Sequence, residues 1–484
     1  MSSNNISFSE IPATILKPGT YSEFNTTLAA RGLPANVQEV LIIGQKTSSG
    51  SIAEAVPTKI FSEADAILYS GNGSMVHRMV KAAYLANPNL SLSIVNLSDG
   101  GSGVAATGTF TITGPATSAG LLTVYIGNEV VTVAIASGDA NTAVATALNA
   151  AIGYLPGLPV SGGVSSGVVT VTAKNKGTVG NQIALAYTCT ATGIGVTVVA
   201  MASGATDPTL QTALTAVYAK RYHIIISPYN NLTSDLSTLA TYSGSPVATL
   251  KTHVDAVSGA TEMRRSRAVI AQNGSLSLTT TLAGNVNDGR IVLAYLRGTR
   301  NTPCEVAAAF GATWATMDDP SQQLDFKAVK GLHAPLVTTR FSKSEQETLL
   351  AGGVTPLEVG PGEQVQVVRA VSTYLLNAAS APDTSLRDVT QITIMDYLDT
   401  AARALINTRY VGGKKTPRVK RNMRSDLLAL LYTFEDLGYL TNVDGCKDAL
   451  VVEDDVSDLN RVDIKLPCPT TQGLHVIAIR QDLF

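Results

Sequence analysis

A short stretch of the chain, Gly163–Gly167, matches the GxSxG pattern that surrounds the nucleophile of many serine hydrolases. That chemistry needs a strand before the serine and a helix after it, because the strained turn between them exposes the hydroxyl. Here a strand pattern, Val168–Ala173, follows the second glycine. The sequence therefore predicts a hairpin turn at this position rather than a nucleophile.

Other residue types that support catalysis or metal binding are dispersed. The five histidines fall in no HExxH motif and beside no CxxC pair: His77, His223, His253, His333 and His475. His223 lies inside an apolar strand pattern, so we expect a core residue with satisfied hydrogen bonds. The paired acids at 318–319, 435–436 and 454–455 are typical of loops and helix caps. These patterns indicate no cofactor, no metal and no common enzyme family.

The strongest charge feature lies between residues 412 and 424. Its start, Gly412–Thr416, resembles a nucleotide-binding P-loop only superficially, because the spacing of the leading glycine is wrong. Six cations occupy eleven positions without one acid: Lys414, Lys415, Arg418, Lys420, Arg421 and Arg424. Two interpretations stay open, a solvated loop and a surface that docks on an acidic protein. Nucleic acid is less favoured because no aromatic residues are interleaved for base stacking.

The composition limits the class of protein. A chain of 484 residues is long enough for about three domains. Its net charge of -2 argues against binding nucleic acid or membrane through bulk charge. Four dispersed cysteines fit reduced thiols, and we find neither a signal segment nor an apolar run of 18 residues. We therefore expect a protein that is made in the cytoplasm and not inserted in a membrane.

Strand and helix patterns alternate in two separated parts of the chain, 37–97 and 206–315. Such alternation predicts one α/β domain with a mostly parallel sheet and helices on its faces. Ser62 and Ser74 are candidate N-caps of two of its helices, and a further helix is expected at Leu232–Leu239. Residues 98–205 show short alternating strands between two glycine-rich segments. We expect a small α+β domain, inserted through flexible hinges.

The last third of the chain, residues 316–470, predicts a C-terminal α+β domain. It contains a hairpin around Gly360–Gly362, a long helix at Asp388–Arg409, and a basic loop that leads into a helix at Ser425–Leu437. Residues 1–36 and 471–484 have the character of extended arms, the second with a strand at Leu474–Ile479. Their candidate interface residues are Phe8, Ile11, Ile15, Tyr21, Leu474, Val476, Ile477, Ile479 and Phe484.

Several segments, kept in order along nearly the whole chain, resemble the tail sheath proteins of contractile-tailed, Mu-like bacteriophages. They are Ile6–Tyr21 (ISFSEIPATILKPGTY), Val169–Ile183 (VTVTAKNKGTVGNQI), Tyr222–Asn230 (YHIIISPYN), Thr339–Glu358 (TRFSKSEQETLLAGGVTPLE), Asn460–Pro467 (NRVDIKLP) and His475–Ile479. No one segment is specific, so the resemblance depends on their joint order.

The resemblance implies a structural protein of the virion, not an enzyme. Its copies would stack as six-fold rings in a helical array around a tail tube protein, bounded by baseplate and tail terminator proteins. Both arms would add strands to the C-terminal domains of neighbouring copies. On triggering, the sheath would contract without nucleotide hydrolysis and drive the tube through the host envelope. The C-terminal domain, with its basic residues, would lie nearest the tube, and the inserted domain would face outward.

Two other classes of protein remain as alternatives. An extracellular adhesin or surface-layer protein would account for the strands rich in Thr and Gly, but it would need a secretion signal. An α/β hydrolase or transferase would account for the alternating core, but it would need convergent catalytic residues. Within the sheath interpretation, one alternative also stays open: both termini could complete the sheet of their own subunit.

Overall fold

The computed structural model describes residues 17–22, 36–230 and 245–483. The first part of the folded body contains five elements, which are β1 (Glu39–Gln45), β2 (Thr58–Ile60), α1 (Glu63–Ser70), α2 (Met75–Ala86) and β3 (Ser91–Leu97). Ser62 and Ser74 cap the two helices through their side chains, as predicted from the sequence. Each cap satisfies a backbone N–H that the first turn of a helix leaves without a partner.

Residues 98–205 form two antiparallel sheets with a helix packed against them. The elements are β4 (Ala105–Thr113), β5 (Gly120–Ile126), β6 (Glu129–Ile135), α3 (Asn141–Gly153), β7 (Val160–Ser165), β8 (Val168–Lys176), β9 (Leu185–Cys189) and β10 (Gly195–Ala202). One sheet has the strand order β10-β4-β8-β7 and the other β6-β5-β9. Alternate side chains of their strands enclose a hydrophobic core that is separate from the body.

The chain then returns to the body. Its elements here are α4 (Gln211–Val217), β11 (Ile224–Ile226), α5 (Pro246–Ser258), β12 (Arg267–Gln272), α6 (Leu276–Val286), β13 (Ile291–Tyr295), α7 (Pro303–Trp314), α8 (Lys343–Ala351), β14 (Thr355–Val359) and β15 (Val365–Val367). The helix expected at Leu232–Leu239 lies outside the described residues.

Within the described residues, eight strands form the central sheet in the order β15-β14-β13-β12-β11-β1-β3-β2. Six of them are parallel, and the two edge strands, β2 and β15, are antiparallel to their neighbours. The sequence predicted a mostly parallel sheet with helices on its faces, and the structure confirms it. The C-terminal domain was expected to begin at residue 316, but the sheet takes up β14 and β15, because the apolar edge of β13 pairs with β14.

Helix α7 was not predicted from the sequence, although all twelve of its residues are buried. A helix that is covered on every side shows no amphipathic period, so its apolar run cannot be recognised by periodicity. Thr302 and Glu305 start it with a capping box, and it packs against α2. Arg78 on α2 donates to Glu305 (2.8 Å) and to Thr302 (2.5 Å), so a buried ion pair joins the two helices.

The two glycine-rich segments that flank the insertion are held in place, whereas their composition suggested flexible hinges. Val104 and Ala205 exchange two backbone hydrogen bonds of 3.0 and 3.2 Å, so the chain enters and leaves the insertion side by side. Asp99 accepts hydrogen bonds from Gln45 (2.7 Å) and from the backbone of Lys176 (3.2 Å). The insertion is therefore fixed to the body at its root.

The chain ends in a small helical unit with its own core. It comprises α9 (Val389–Arg409), α10 (Pro417–Asp436), α11 (Val443–Cys446), β16 (Val451–Asp454) and β17 (Val462–Lys465). Phe434 is fully buried there and packs on Tyr397 and Tyr439. Arg290 of the body makes two hydrogen bonds of 2.8 Å to Asp396 on α9, which ties this unit to the central sheet.

Replacing Glu305 with alanine should destabilise the subunit by about 3–5 kcal/mol, because Arg78 would stay buried without its partner. Urea unfolding followed through the fluorescence of Trp314 measures the change where it occurs, since this is the one tryptophan of the chain and it lies on α7. The exposed pair Lys447–Asp444 supplies the control, and Asp444→Ala should leave the unfolding midpoint unchanged. Equal midpoints for both variants would contradict the prediction.

Candidate assembly surfaces

The C-terminal segment, residues 472–483, is extended, and all of it except Gly473 and His475 is exposed. The sequence predicted a strand at Leu474–Ile479, but this is wrong for the isolated subunit. The segment forms no strand, and its backbone makes no hydrogen bond with any residue that the structure describes. The physical reason is that no described strand of the same chain lies beside it to complete a ladder. Within the described residues, this terminus completes no sheet of its own subunit.

The apolar side chains of this segment point away from the protein. Leu474, Val476, Ile477 and Ile479 are between 72% and 80% exposed. Because successive side chains of an extended chain alternate, Leu474 and Val476 lie on one face, and Ile477 and Ile479 on the other. A strand that is apolar on both faces is typical of a sheet covered on both sides. The segment thus has the pattern of a buried strand without the protein that would bury it.

The hairpin of β16 and β17 is a complementary feature. In the described chain it forms a sheet of only two strands, so neither strand has a second neighbour. A groove beside it is lined by Val462 and Ile464 of β17, by Ile406 of α9 and Tyr410 at its C-cap, and by Met423 of α10. An isolated hairpin of this kind is marginally stable and is completed by further strands or by packing.

The basic residues are not in a loop, as the sequence analysis expected, but mainly in the first half of α10. The helix begins at Pro417, and the side chain of Thr416 accepts a hydrogen bond from the backbone of Val419. Proline at the first position and threonine at the N-cap are start signals, and Lys and Arg favour helix. The run of charges was wrongly interpreted as a loop because it shows little apolar periodicity.

Three of these six cations hold the hairpin against α10. Lys415 and Lys420 both bind the carboxylate of Asp454, at 3.0 and 2.6 Å. Hydrogen bonds from the two lysines, that of Lys420 first, keep the pKa of Asp454 below its usual value. Arg424 donates to the backbone carbonyls of Leu450 and Lys447. These contacts position β16, and Lys415 and Lys420 also line the groove.

The other three cations, Lys414, Arg418 and Arg421, are exposed and make no ion pair with the described residues. Arg418 lies in the first turn of α10, where the helix dipole disfavours positive charge, and Arg421 lies one turn further along. A surface that keeps such charges together is suited to contact with an acidic partner.

The N-terminal candidates Phe8, Ile11 and Ile15, like Phe484 at the other end, lie outside the described residues. Tyr21 is described; its side chain is exposed, and its hydroxyl donates to the carbonyl of Lys17 within the same short segment. The structure therefore places the C-terminal candidates beside one another on one extended segment and separates them from the basic residues on α10.

The motifs with catalytic patterns have structural roles. The GxSxG stretch forms the end of β7 and the two-residue turn into β8, which confirms the predicted hairpin. Nδ1 of His223 accepts a hydrogen bond from the backbone of Glu39, and burial lowers the pKa of the imidazole to about 3, as fits a core residue. Among the described residues, no group of three or more His, Cys, Asp or Glu side chains is arranged to hold a metal ion. None of the described helices has the length and apolarity to cross a bilayer.

The central sheet, the insertion and the C-terminal unit together form the fold of contractile sheath proteins. The helical sheath of the anti-feeding prophage in its contracted state superposes with a TM-score of 0.51, at 11% identity, over 96% of this chain and 98% of that one. The PVC sheath complex of an extracellular contractile injection system, also contracted, gives a TM-score of 0.51 at 10% identity, over 97% of this chain and 98% of that one.

Sequence comparison defines the family. Residues 203–373 match the model of the phage tail sheath protein central domain, and residues 381–484 match that of the phage tail sheath C-terminal domain. The Mu-like prophage FluMu tail sheath protein of Haemophilus influenzae is 30% identical over 95% of this chain and 96% of its own length. The chain therefore belongs to the phage tail sheath family. It is a structural subunit of a contractile tail sheath and not an enzyme.

Replacing Asp454 with asparagine should loosen the hairpin from α10, because Lys415 and Lys420 would lose their shared carboxylate. We expect amide hydrogen exchange in residues 450–466 to become about fivefold faster, measured by mass spectrometry on the dispersed subunit. Asp448→Asn, a neutralisation at the base of the same hairpin, is the matched control and should leave the exchange unchanged. Unaltered exchange in the Asp454 variant would show that other contacts hold the hairpin.

Proposed function

We propose that the C-terminal segment of one copy adds a strand to the β16–β17 hairpin of a neighbouring copy and so links the subunits of the sheath. The observation that carries the proposal is a pair of unsatisfied features in one chain. One is an extended apolar segment without a backbone partner among the described residues, and the other is a sheet of two strands beside a groove lined by apolar side chains and three lysines. Strand addition would satisfy both, because main-chain hydrogen bonds supply the affinity and side-chain pockets the register.

The magnitudes support a firm link. Complete burial of one Val, Leu or Ile side chain contributes about 1.5–3 kcal/mol. Val476, Ile477 and Ile479 together would contribute about 4.5–9 kcal/mol before the cost of ordering the segment is deducted. Repeated in every subunit, such links would hold a polymer together while each copy rotates. The N-terminal arm, with Phe8, Ile11, Ile15 and Tyr21, is proposed to form a second link of the same kind.

The relatives supply the setting for this proposal. One similar structure is a helical sheath, and another is the baseplate of the anti-feeding prophage in its contracted state. We propose that this chain forms six-fold rings in a helical stack around a tail tube protein, with baseplate and tail terminator proteins at the ends. The assembled form would be part of the virion, and its subunits would be made in the host cytoplasm.

The three cores also suggest how the subunit is divided in the sheath. In the proposed division, residues 98–205 form the outward-facing insertion, the central sheet and its helices form the body, and α9 to β17 form the part nearest the tube. Lys414, Arg418 and Arg421 on α10 would then contact acidic side chains of the tube. Such exposed pairs are weak and screened by salt, so they would release readily when the sheath contracts.

Aspartate at both Ile477 and Ile479 should abolish polymerisation, because two charges would enter the buried faces of the added strand. Sedimentation and negative-stain electron microscopy of the purified subunit would show dispersed protein where the wild type forms cylinders. The control is Tyr154→Asp with Leu155→Asp, two exposed apolar residues of the insertion, and this variant should still form cylinders. Normal cylinders from the arm variant would refute strand addition.

Trypsin offers an independent measurement of the same link. Arg480 is 87% exposed in the subunit, so cleavage after it should be rapid in dispersed protein. In the polymer the segment would be paired in a sheet and protected, and we expect cleavage to be at least about tenfold slower. Equal cleavage rates in the two states would mean that the segment remains free after assembly.

Reversing the three exposed charges, with glutamate at Lys414, Arg418 and Arg421, should weaken assembly around tubes but not the subunit fold. The expected effect is a loss of sheathed tubes in electron microscopy, with self-assembly in the absence of tubes retained. A variant with glutamate at Lys59, Lys327 and Lys330 makes the same change in charge on other exposed positions and should sheathe tubes normally. Normal sheathing by the α10 variant would exclude these cations as the tube contact.

A further inference from the structure

The root of the C-terminal segment, residues 469–475, is bound to its own subunit along a continuous strip. The backbone of Thr441 donates to Pro469, and that of Thr471 donates to Tyr439. Gln391, in the first turn of α9, donates from its amide to the carbonyl of Thr471 at 3.2 Å. The segment does not therefore leave the body at residue 471, where the sequence predicted the arm to begin.

The last contact of this strip is made by His475. Its side chain is only 10% exposed, whereas Leu474 before it and Val476 after it are 76% and 80% exposed. Nδ1 of the imidazole lies 2.5 Å from a carboxylate oxygen of Asp325, in the segment that leads to β14 and β15. A carboxylate only accepts hydrogen bonds, so Nδ1 is the donor. The other oxygen of Asp325 has no partner among the described residues, which makes His475 its principal contact.

The opposite side of the ring faces the start of α9. Nε2 lies 3.5 Å from Asp388, the N-cap residue of this helix, too far for a hydrogen bond. Asp388 is held in turn by Arg369 through contacts of 2.7 to 3.0 Å. The charged groups around the ring are thus Asp325, Asp388 and Arg369. A Cβ added to Gly473 would lie 2.5 Å from Gln323 and from His475 itself, so the strip fits closely against the body.

We infer that His475 is a positioning residue that fixes the root of the C-terminal arm, so that the strand donated to a neighbouring copy begins at Val476. The inference rests on the proposed strand addition. The nine residues from Val476 to Phe484 span at most about 30 Å when extended. Without the anchor the free segment would start at Gln472 and span about 45 Å, since four further residues would have to be ordered on assembly.

A shorter and anchored arm presents its strand to the neighbouring hairpin at a higher effective concentration. The anchored arm also couples the movements of neighbouring copies, because a longer, flexible link would not transmit the rotation of one subunit to the next. The anchor joins three parts of the chain that are distant in sequence, namely the loop with Asp325, the N-terminus of α9 and the arm. Any displacement of one copy would therefore be passed to the arm through His475.

The test compares two substitutions at one position. His475→Asn keeps a donor near the place of Nδ1, whereas His475→Ala removes it. We expect the concentration at which the subunit begins to polymerise to rise about tenfold in the alanine variant and to stay within about threefold of the wild type in the asparagine variant. Sedimentation measures this threshold, and the melting temperature of the dispersed subunit reports any general loss of fold.

Asp325→Ala should reproduce the defect of His475→Ala, and the double variant should be no worse than either single one, because both remove the same contact. A wild-type threshold for His475→Ala, or equal thresholds for the alanine and asparagine variants, would overturn the inference. Deletion of residues 476–484 separates this result from the proposed function. If the deletion leaves polymerisation intact, strand addition itself fails; if it abolishes polymerisation while His475→Ala has no effect, only the anchor fails.

Discussion

The backbone of a β-strand must be hydrogen-bonded to another strand, and this requirement governs the sheath subunit as a whole. The C-terminal segment meets the side-chain requirements of a buried strand, but the described part of its own chain offers it no partner. The hairpin of β16 and β17 offers unpaired edges and has no third strand among the described residues. In the proposed assembly a copy of the same chain would complete both features, so fold and assembly would have one physical cause.

Open strand edges also carry a risk of indiscriminate aggregation, and the chain limits that risk in recognisable ways. Each strand of the hairpin has only four residues, which leaves few backbone groups to pair. Lys414, Lys415 and Lys420 lie at the groove, so an approaching chain must tolerate positive charge. The arm itself carries Arg480 and Asp482, which form an ion pair without net charge, so these lysines do not repel it.

The charges on α10 show how one run of basic residues divides into two roles. Lys415, Lys420 and Arg424 satisfy a carboxylate and two carbonyls of the same subunit, so their contribution is to position the hairpin. Lys414, Arg418 and Arg421 make no ion pair with the described residues. Since a positive charge in the first turn of a helix is unfavourable, the presence of Arg418 there is better explained by a partner than by the fold. No feature of the sequence alone distinguishes the two sets, because Asp454 lies 30 positions beyond Arg424.

The elements that could be predicted from sequence are those with local signals. Ser62 and Ser74 start helices through their own side chains, and the alternation of apolar strands with helices predicts the parallel sheet. Helix α7 was missed because burial on all sides removes its period. The start of α10 was not predicted, although Thr416 and Pro417 are helix start signals, because the run of charges was interpreted as a loop.

The candidate surfaces likewise differ in whether a local sequence signal predicts them. The apolar arm is visible in the sequence as alternation, and the resemblance to sheath proteins indicates its use. The anchor at His475 has no sequence signal, because its two carboxylates lie 150 and 87 positions earlier in the chain. A lone histidine between apolar residues looks like part of the strand. The fold brings Asp325 and the start of α9 together around His475. With these contacts, His475 marks the boundary between the fixed part of the arm and the free part.

The contacts within the subunit also indicate where movement must occur when the lattice shortens. Backbone bonds between Val104 and Ala205 hold the root of the insertion. Two ion pairs, Arg290–Asp396 and Arg265–Asp399, hold α9 to the central sheet. Breaking such partly buried pairs one by one would be costly. The body, insertion and C-terminal unit therefore move most easily as one block, and the change in lattice must be taken up where the chain leaves that block, which at the C-terminal end is the bond after His475.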